Sequence, residues 1–162
     1  MQEKKIAIAS DHAGYRMKAY LTDWLTHQDY SVLDLGPADE TPIDYPDQAA
    51  AVANAIKNRS ADLGILICGT GIGMSIAVNR YPEIRGALVF TPEMATLARQ
   101  HNDANVLILG GRTTDFEVAV ACTDAFLKAQ FENGRHARRV AKLERMIHGT
   151  KSCAVSQVLS RA

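Results

Sequence analysis

The sequence predicts a single α/β domain in which a five-stranded parallel sheet is covered by helices on both faces. Short β-rich runs alternate with longer segments of helical periodicity, an alternation that is typical of parallel sheets with crossover helices. The run Leu63-Gly64-Ile65-Leu66-Ile67 is apolar on both faces, as expected of a central strand covered from each side. The 162 residues suit one domain, and a hydrophobic fraction of 47% is enough for a buried core.

Five strands and four helical stripes account for most of the chain. The predicted strands are Lys5–Ala9, Val32–Leu35, Leu63–Cys68, Ala87–Phe90 and Val106–Leu109. Apolar residues at helical spacing predict amphipathic helices with the stripes Met17/Leu21/Trp24/Leu25, Ala49/Val52/Ala53/Ile56, Phe116/Val120/Thr123/Leu127 and Val140/Leu143/Ile147. The domain is expected to span residues 1–148. Residues 149–162 are polar and follow a helix-ending glycine, and they are predicted to form a frayed, disordered tail rather than a docked helix.

Composition and charge exclude several classes of partner. Eighteen basic residues balance eighteen acidic ones, so no global field would attract nucleic acid or an anionic membrane. No apolar run approaches the roughly 20 residues of a membrane span, and the amino-terminal residues carry no signal region. Cys68, Cys122 and Cys153 are an odd and widely spaced set, which argues against a disulfide framework. We therefore expect a reduced cytoplasmic protein with neither nucleic acid nor a membrane as its partner.

Polar segments flank several predicted strands at the edge of the sheet where ligands bind. In an open parallel sheet this is the edge formed by the carboxyl ends of the strands. Ser10–Gly14, Cys68–Ser75 and Gly110–Arg112 follow the first, third and fifth predicted strands. A fourth segment, His101–Asp103, ends the helix that precedes the fifth strand, and we assign it to the same edge. Four polar segments at one edge predict a ligand site there.

The loop after the third strand has the composition of an anion-binding loop. Gly69, Gly71 and Gly73 let the backbone approach a ligand and turn its N–H groups inward. A helix starting near Ile72 would add the positive end of its dipole. These surroundings suit a phosphate or a developing oxyanion, and they favour the thiolate form of Cys68. The alternative, that Cys68 is simply a buried strand residue, is equally open at this stage.

Three known phosphate-binding motifs do not describe this loop. The sequence contains no Gly-Lys pair, which a Walker loop requires. Met74 stands where a dinucleotide fingerprint would need glycine and where a thiol phosphatase loop would need arginine. The loop therefore belongs to none of these three motif classes.

Histidines and arginines supply the remaining candidates. The five histidines include no pair at the i, i+4 spacing that helical zinc sites favour, so we expect no metal. His12 and His101 lie beside predicted strand ends and are assigned functional roles. In the basic helix near the carboxyl end, Arg139 lies roughly 40° around the axis from Arg135, so both guanidiniums can reach one phosphate. Arg138 points toward solvent, and a merely solvated helix start is the competing interpretation.

Five motifs occur in fixed order along nearly the whole chain, from Lys4 to Ile147. They are Ser10-Asp11-His12-Ala13-Gly14, Asp44-Tyr45-Pro46-Asp47, Ile67-Cys68-Gly69-Thr70-Gly71-Ile72-Gly73-Met74-Ser75, Arg99-Gln100-His101-Asn102-Asp103-Ala104-Asn105-Val106 and Gly134-Arg135-His136. Together they resemble the type B ribose-5-phosphate isomerases. The resemblance implies a Rossmann-like sheet, no cofactor, and a homodimer or homotetramer whose sites are shared between subunits. It also implies interconversion of ribose 5-phosphate and ribulose 5-phosphate through an enediolate.

The same resemblance implies roles for individual residues. Cys68 is the base that moves a proton between C2 and C1, whereas one relative uses a glutamate at the position of Ser75. His101 assists opening of the furanose ring, and Thr70 belongs with both to the catalytic set. The positions that hold sugar hydroxyls, the phosphate or the enediolate are Asp11, His12, Gly69, Gly71, Ile72, Gly73, Asn102, Arg112, Arg135 and Arg139.

Two alternative functions share most of these features. Related isomerases act on allose 6-phosphate or galactose 6-phosphate, so a six-carbon sugar phosphate is the first alternative. The second is a sugar-phosphate binding module without catalysis, against which Cys68, Thr70 and His101 argue. The segment Phe90–Ala95 departs from the family pattern near Met94, where relatives often carry tyrosine. We expect altered packing there, near the pocket or a dimer contact.

Overall fold

The structure, a computed structural model, describes residues 4–146. The predicted tail at 149–162, and Ile147 of the last helical stripe, lie outside the described residues. Five strands are present: β1 (Lys5–Ser10), β2 (Ser31–Asp34), β3 (Leu63–Cys68), β4 (Gly86–Leu88) and β5 (Val106–Gly110). They form one parallel sheet in the order β2-β1-β3-β5-β4. The central strand β3 is buried at every position, and the predicted α/β fold class is confirmed.

Helices follow the strands and return the chain to the start of the next one. A short 3-10 turn, His12–Gly14, leads into the first helix. The α-helices are α1 (Tyr15–His27), α2 (Tyr45–Lys57), α3 (Ile72–Val78), α4 (Pro92–Asn102) and α5 (Phe116–Lys128). A last helix, α6, begins at residue 135 and is helical through residue 146.

The fourth strand is shorter than the sequence predicts and lies earlier in the chain. Its last residue paired with β5 is Leu88, whereas the predicted strand ended at Phe90. Phe90 is 49% exposed, and the Thr91 hydroxyl next to it accepts a hydrogen bond from the Met94 N–H as the cap of α4. The helix cap therefore ends a segment whose β-propensity alone favours continuation of the strand.

The sheet separates two cores with different side-chain sizes. In β1, Ile6 and Ile8 face the core that α1, α4 and α5 cover. Ala7 and Ala9 face the core beneath α2 and α3. A Cβ at Gly64 of β3 would stand only 2.5 Å from the nearest side-chain atom of Val52 in α2. Small residues in β1 and β3 therefore allow α2 to approach the sheet closely.

The direction of the strands gives the sheet two unlike edges. We call the edge at the carboxyl ends of the strands the carboxyl edge and the opposite one the amino edge. Along β3 they are separated by about 17 Å. The chain leaves β1 toward β2 on one side, and leaves β3 toward the other side, so the order reverses between these two central strands. A crevice at the carboxyl edge is expected at this reversal. Within residues 4–146, no helix is both long and apolar enough to cross a membrane.

Candidate active site

At the carboxyl edge, the loop of residues 68–73, which we call the cysteine loop, surrounds a thiol with main-chain donors. Cys68 is the last residue of β3, and only 5% of it is exposed. The Gly71 N–H donates a hydrogen bond to Cys68 Sγ at 3.2 Å. The Ile72 N–H donates to Thr70 Oγ1 at 3.3 Å. A main-chain donor therefore points at the sulfur inside a glycine loop, an arrangement suited to a base or nucleophile.

Gly71 gives the loop a conformation that other residues rarely adopt. Its φ of +77° lies in the left-handed region. A Cβ at this position would stand 2.5 Å from Leu88 Cδ1 and 3.1 Å from the main-chain oxygen of Leu109. Both the backbone angle and the lack of space therefore require glycine here.

The segment after β5 supports the cysteine loop from the side. The Gly111 N–H donates to the Cys68 carbonyl oxygen at 2.7 Å, and the Arg112 N–H donates to the Gly69 carbonyl oxygen at 2.9 Å. Arg112 Nη1 lies 3.7 Å from where a Cβ of Gly69 would be. The guanidinium of Arg112 therefore lies against the loop and supplies a positive charge for an anionic ligand.

The segment after β1 completes this edge. Asp11, 8% exposed, accepts a hydrogen bond from the Gly14 N–H through Oδ1 at 3.0 Å. Its own N–H donates to the Ile67 carbonyl oxygen at 3.0 Å. Nδ1 of His12 is buried and has no hydrogen-bonding partner among the described residues. The structure thus brings together the predicted candidates Asp11, His12, Gly69, Thr70, Gly71, Ile72, Gly73 and Arg112 around Cys68.

Residues 101–103 do not lie at this edge, and their assignment to it is wrong for a single chain. Helix α4 runs back across the sheet and delivers its carboxyl end to the start of β5. At that start, the Asn105 carbonyl oxygen accepts a hydrogen bond from the N–H of Gly64 near the start of β3. His101 and Asn102 therefore belong to the amino edge. The local pattern shows that the segment neighbours a strand, but it does not show at which end of that strand the segment lies.

At the amino edge, His101 meets a second histidine, His136, which belongs to one of the five motifs but has no role assigned from the sequence. The His101 and His136 rings are stacked, with their centroids 4.2 Å apart and their planes 4° from parallel. Glu132 Oε2 lies 3.8 Å from His101 Nε2 and 3.7 Å from His136 Nε2. We call His101, Glu132 and His136 the amino-edge cluster. Glu132 and His136 are separated by four positions. This spacing could have indicated the cluster, but it is missed when only pairs of histidines are considered.

Two arginines flank the amino-edge cluster. Arg135 and Arg139 of α6 are exposed, and Arg135 Nε donates a hydrogen bond to His136 Nε2 at 3.3 Å. Burial lowers the pKa of His136, and the charges of His101, Arg135 and Arg139 lower it further, while Glu132 opposes them. His136 therefore favours its neutral form, with Nε2 acting as an acceptor.

An ion-pair network fixes the end of α4 that carries His101. Asp103 adopts a left-handed backbone with φ of 46°. Its carboxylate accepts hydrogen bonds from Arg85 Nη2 at 2.8 Å and from Arg99 Nη1 at 2.9 Å. Arg85 Nε also donates to the Asp103 carbonyl oxygen at 2.8 Å. The position of His101 and Asn102 thus depends on Arg85, just before β4, and on Arg99 of α4 itself.

Known proteins resemble this chain in family, in sequence and in structure. Residues 6–143 match the family described as Ribose/Galactose Isomerase. Ribose-5-phosphate isomerase B of Escherichia coli (strain K12) is 44% identical over 137 residues, which cover 85% of this chain and 92% of that protein. This chain therefore resembles nearly the whole of that relative.

Solved structures give the same likeness. A crystal structure of a ribose 5-phosphate isomerase from Thermotoga maritima superposes with a TM-score of 0.86 at 48% identity, covering 88% of this chain and 98% of that one. Ribose-5-phosphate isomerase B from Mycoplasma genitalium, crystallised with bound ribulose-5-phosphate, gives a TM-score of 0.83 at 45% identity. That match covers 88% of this chain and 95% of the Mycoplasma chain.

Proposed function

Because this chain belongs to the ribose/galactose isomerase family, we propose that it interconverts ribose 5-phosphate and ribulose 5-phosphate. The observation that carries the proposal is the hydrogen bond from the Gly71 N–H to Cys68 Sγ, inside a glycine loop at the reversal point of the sheet. It equips Cys68 to act as a base at the place where parallel sheets bind ligands. The bound ribulose-5-phosphate of the Mycoplasma genitalium relative supports a five-carbon substrate.

The chemistry follows from the acidity of the carbon next to a carbonyl group. The Cys68 thiolate takes the proton from C2 of the open aldose, and the electron pair of the broken C–H bond forms the enediolate. The protonated Cys68 then delivers a proton to C1, while the proton of the O2 hydroxyl passes to O1, which gives the ketose. Main-chain N–H groups of the cysteine loop that make no hydrogen bond within the loop stabilise the charge that develops on oxygen, and one such donor is typically worth about 2.7–4 kcal/mol of barrier.

We assign substrate binding to groups that do not take part in the proton transfer. Arg112, beside Gly69, attracts the anionic sugar, and the half-buried imidazole of His12 offers a hydrogen bond to a sugar or phosphate oxygen. Binding energy from the phosphate then holds C1 and C2 against Cys68 Sγ. Cys122 is not a competing base, because burial raises the pKa of its thiol to about 11.

The same proposal includes a homodimer, because one chain cannot present all the candidate groups to one sugar. His101, Asn102, Arg135 and Arg139 lie at the amino edge, about 17 Å from Cys68 along β3. A second copy would bring its amino edge to the carboxyl edge of the first, supplying the histidine for ring opening and the arginines for the phosphate. Large exposed apolar side chains near the cysteine loop, Ile72, Ile76, Phe90 and Met94, suit such a contact. A homotetramer would pair two such dimers.

We also place the protein in the cytoplasm. Its two cysteines within residues 4–146, Cys68 and Cys122, are free and buried. Free thiols are the rule where glutathione and thioredoxin keep proteins reduced.

The test of the reaction is an isomerase assay on ribose 5-phosphate with wild-type protein, Cys68→Ala and the matched control Cys122→Ala. We expect Cys68→Ala to lower kcat by orders of magnitude with little change in KM, because the base is lost while the phosphate contacts stay. Cys122→Ala should keep its activity. Proton exchange at C2 in deuterated solvent, present in the wild type and absent in Cys68→Ala, assigns the step. A wild type active only on allose 6-phosphate would refute the five-carbon substrate.

The test of the shared site is complementation between two inactive variants. Cys68→Ala and His101→Asn are each expected to be inactive alone, whereas their mixed dimer has one intact site. After co-refolding, activity should recover to about a quarter of the wild-type value, the statistical share of intact sites in a two-fold symmetric dimer. Mixed dimers isolated by two affinity tags that show no recovery would contradict the sharing of sites.

A further inference from the structure

In the amino-edge cluster, the two histidine nitrogens lie close to the Glu132 carboxylate but too far from it for a hydrogen bond. His101 Nε2 and His136 Nε2 lie 3.8 and 3.7 Å from the same oxygen, Oε2 of Glu132. Both distances exceed those of a hydrogen bond. The three ligand atoms all lie within 4.8 Å of one another. Two imidazoles and a carboxylate thus converge on one small volume without bonding to each other.

We propose that the amino-edge cluster binds a divalent transition-metal ion, with zinc as the best match, and that the bound ion inhibits the enzyme by occupying His101. Imidazole and carboxylate are typical ligands of zinc, and three protein ligands with one water form an open tetrahedral site. Zinc–ligand bonds of 2.0–2.2 Å place neighbouring ligand atoms about 3.4 Å apart. The two histidine-to-carboxylate separations need to close by only a few tenths of an ångström, whereas the two imidazoles must also turn toward the ion.

The groups around the cluster allow zinc to bind, but the neighbouring arginines do not favour it. His136 already uses Nε2 as an acceptor, for Arg135 Nε at 3.3 Å, so the lone pair a metal needs is on the correct nitrogen. Zinc would displace that donor. Glu132 is exposed and free to move toward the ion, whereas His136 is only 5% exposed and holds its place. The positive charges of Arg135 and Arg139 weaken binding, which makes the site one of moderate affinity and reversible occupancy.

Metal binding would also change the geometry of His101. The two rings are parallel and 4.2 Å apart, so their lone pairs do not converge on one point until the rings rotate out of the stack. An imidazole whose Nε2 holds zinc cannot carry a proton on that nitrogen. The inhibitory half of this inference rests on the proposed role of His101 in ring opening, whereas metal binding itself does not.

Metal binding is tested first, on the full chain without a polyhistidine tag. Zinc is titrated against a chromophoric chelator, and cobalt(II) is used as a spectroscopic probe. We expect one site per chain, with affinity lowered by at least about tenfold in His136→Gln and in Glu132→Gln. His27→Gln is the matched control, because exposed His27 also pairs with a carboxylate at i, i+4, with Nδ1 3.6 Å from Asp23. It should bind zinc as the wild type does.

A further variant separates this site from nonspecific binding. Arg135→Ala removes the donor on His136 Nε2 together with one opposing charge, so zinc should bind more tightly than in the wild type. A cobalt spectrum with thiolate charge-transfer absorption that disappears in Cys68→Ala would place the ion at the cysteine loop and overturn the proposal. Zinc affinity unchanged in both His136→Gln and Glu132→Gln would overturn it equally.

Inhibition is tested separately, as the ratio of activity with and without zinc within each variant. We expect inhibition of the wild type that a chelator reverses and that high substrate concentration prevents, with weaker inhibition in Glu132→Gln than in His27→Gln. Zinc bound at the cluster with no loss of isomerase activity would overturn the inhibitory half. A metal-free wild type without isomerase activity would instead refute the proposed function, while the binding titrations would still report on the site.

Discussion

At the carboxyl edge of the sheet the candidate site is held by main-chain hydrogen bonds, whereas at the amino edge it is held by contacts between side chains. The cysteine loop receives N–H donors from Gly111 and Arg112. The amino edge relies on the His101–His136 stack and on the ion pairs of Asp103. A site built from main-chain hydrogen bonds is sensitive to positions where an added side chain would not fit. A site made from side chains depends on which ones are present, so the two edges should respond differently to substitution.

The largest difference is expected between two glycines with positive φ, one at each edge. Gly71 has φ of +77° and no space for a Cβ, whereas Gly134 has φ of +53° and nothing within 4 Å of its Cβ position. Gly134→Ala should lower the free energy of unfolding by only the left-handed backbone penalty, about 1–2 kcal/mol. Gly71→Ala adds the clash with Leu88 and Leu109, and displacement of the loop should lower kcat about 100-fold or more.

Urea unfolding and the isomerase assay measure both effects. Equal losses of stability in the two variants, with the activity of Gly71→Ala intact, would mean that the cysteine loop relaxes around the added methyl group. The carboxyl edge would then be less rigid than its hydrogen bonds indicate.

A smaller loss is expected when the ion pairs of the amino edge are weakened. Asp103→Asn keeps a residue that tolerates the left-handed backbone but removes the charge that Arg85 and Arg99 share. We expect the free energy of unfolding to fall by roughly 2 kcal/mol, the value of hydrogen bonds to a charged group. Ring opening should slow as the end of α4 loosens.

The matched control is Asp29→Asn. Asp29 has φ of 60° and is exposed, so it shares the backbone conformation without the two partly buried arginines. In thermal unfolding, Asp29→Asn should have the same Tm as the wild type. A loss in Asp29→Asn as large as that in Asp103→Asn would show that the backbone, not the charge, determines the effect.

The smallest effect is expected from pH. Burial lowers the pKa of His136 in the folded protein below its ordinary value of 6.5. The unfolded chain therefore binds a proton at higher pH than the folded one does, and stability is lost as the pH falls from about 6.5 through the folded pKa. His136→Gln should flatten the fall in the free energy of unfolding between about pH 7 and 5.

The groups facing His136 are His101 from α4, Glu132 before α6, and Arg135 and Arg139 on α6. His27→Gln serves as the control, because it removes an exposed histidine that is remote from this cluster in the sequence. An identical slope in wild type and His136→Gln would mean that His136 binds its proton equally well in both states.

The contrast between the edges also explains what the sequence could and could not predict. Strands, helices and the cysteine loop follow from local patterns: alternation, helical spacing, and glycines at 69, 71 and 73. The placement of His101 depends on the direction of α4, which no local pattern reports, so it was assigned to the wrong edge. His136 was part of a recognised motif, but its contact with His101 joins segments 35 positions apart in the sequence. Only packing of α4 against the start of α6 brings them together.

The hydrogen bonds from Gly111 and Arg112 to the cysteine loop have a consequence for how its opening can be observed. Because these two amides donate to the carbonyl oxygens of Cys68 and Gly69, the segments after β3 and β5 must separate before either amide is released. Hydrogen–deuterium exchange at Gly111 and Arg112 therefore reports the opening of a neighbouring segment to which they do not belong. Their exchange rates therefore measure how often the cysteine loop opens around the Cys68 thiol, without any chemical label on the cysteine.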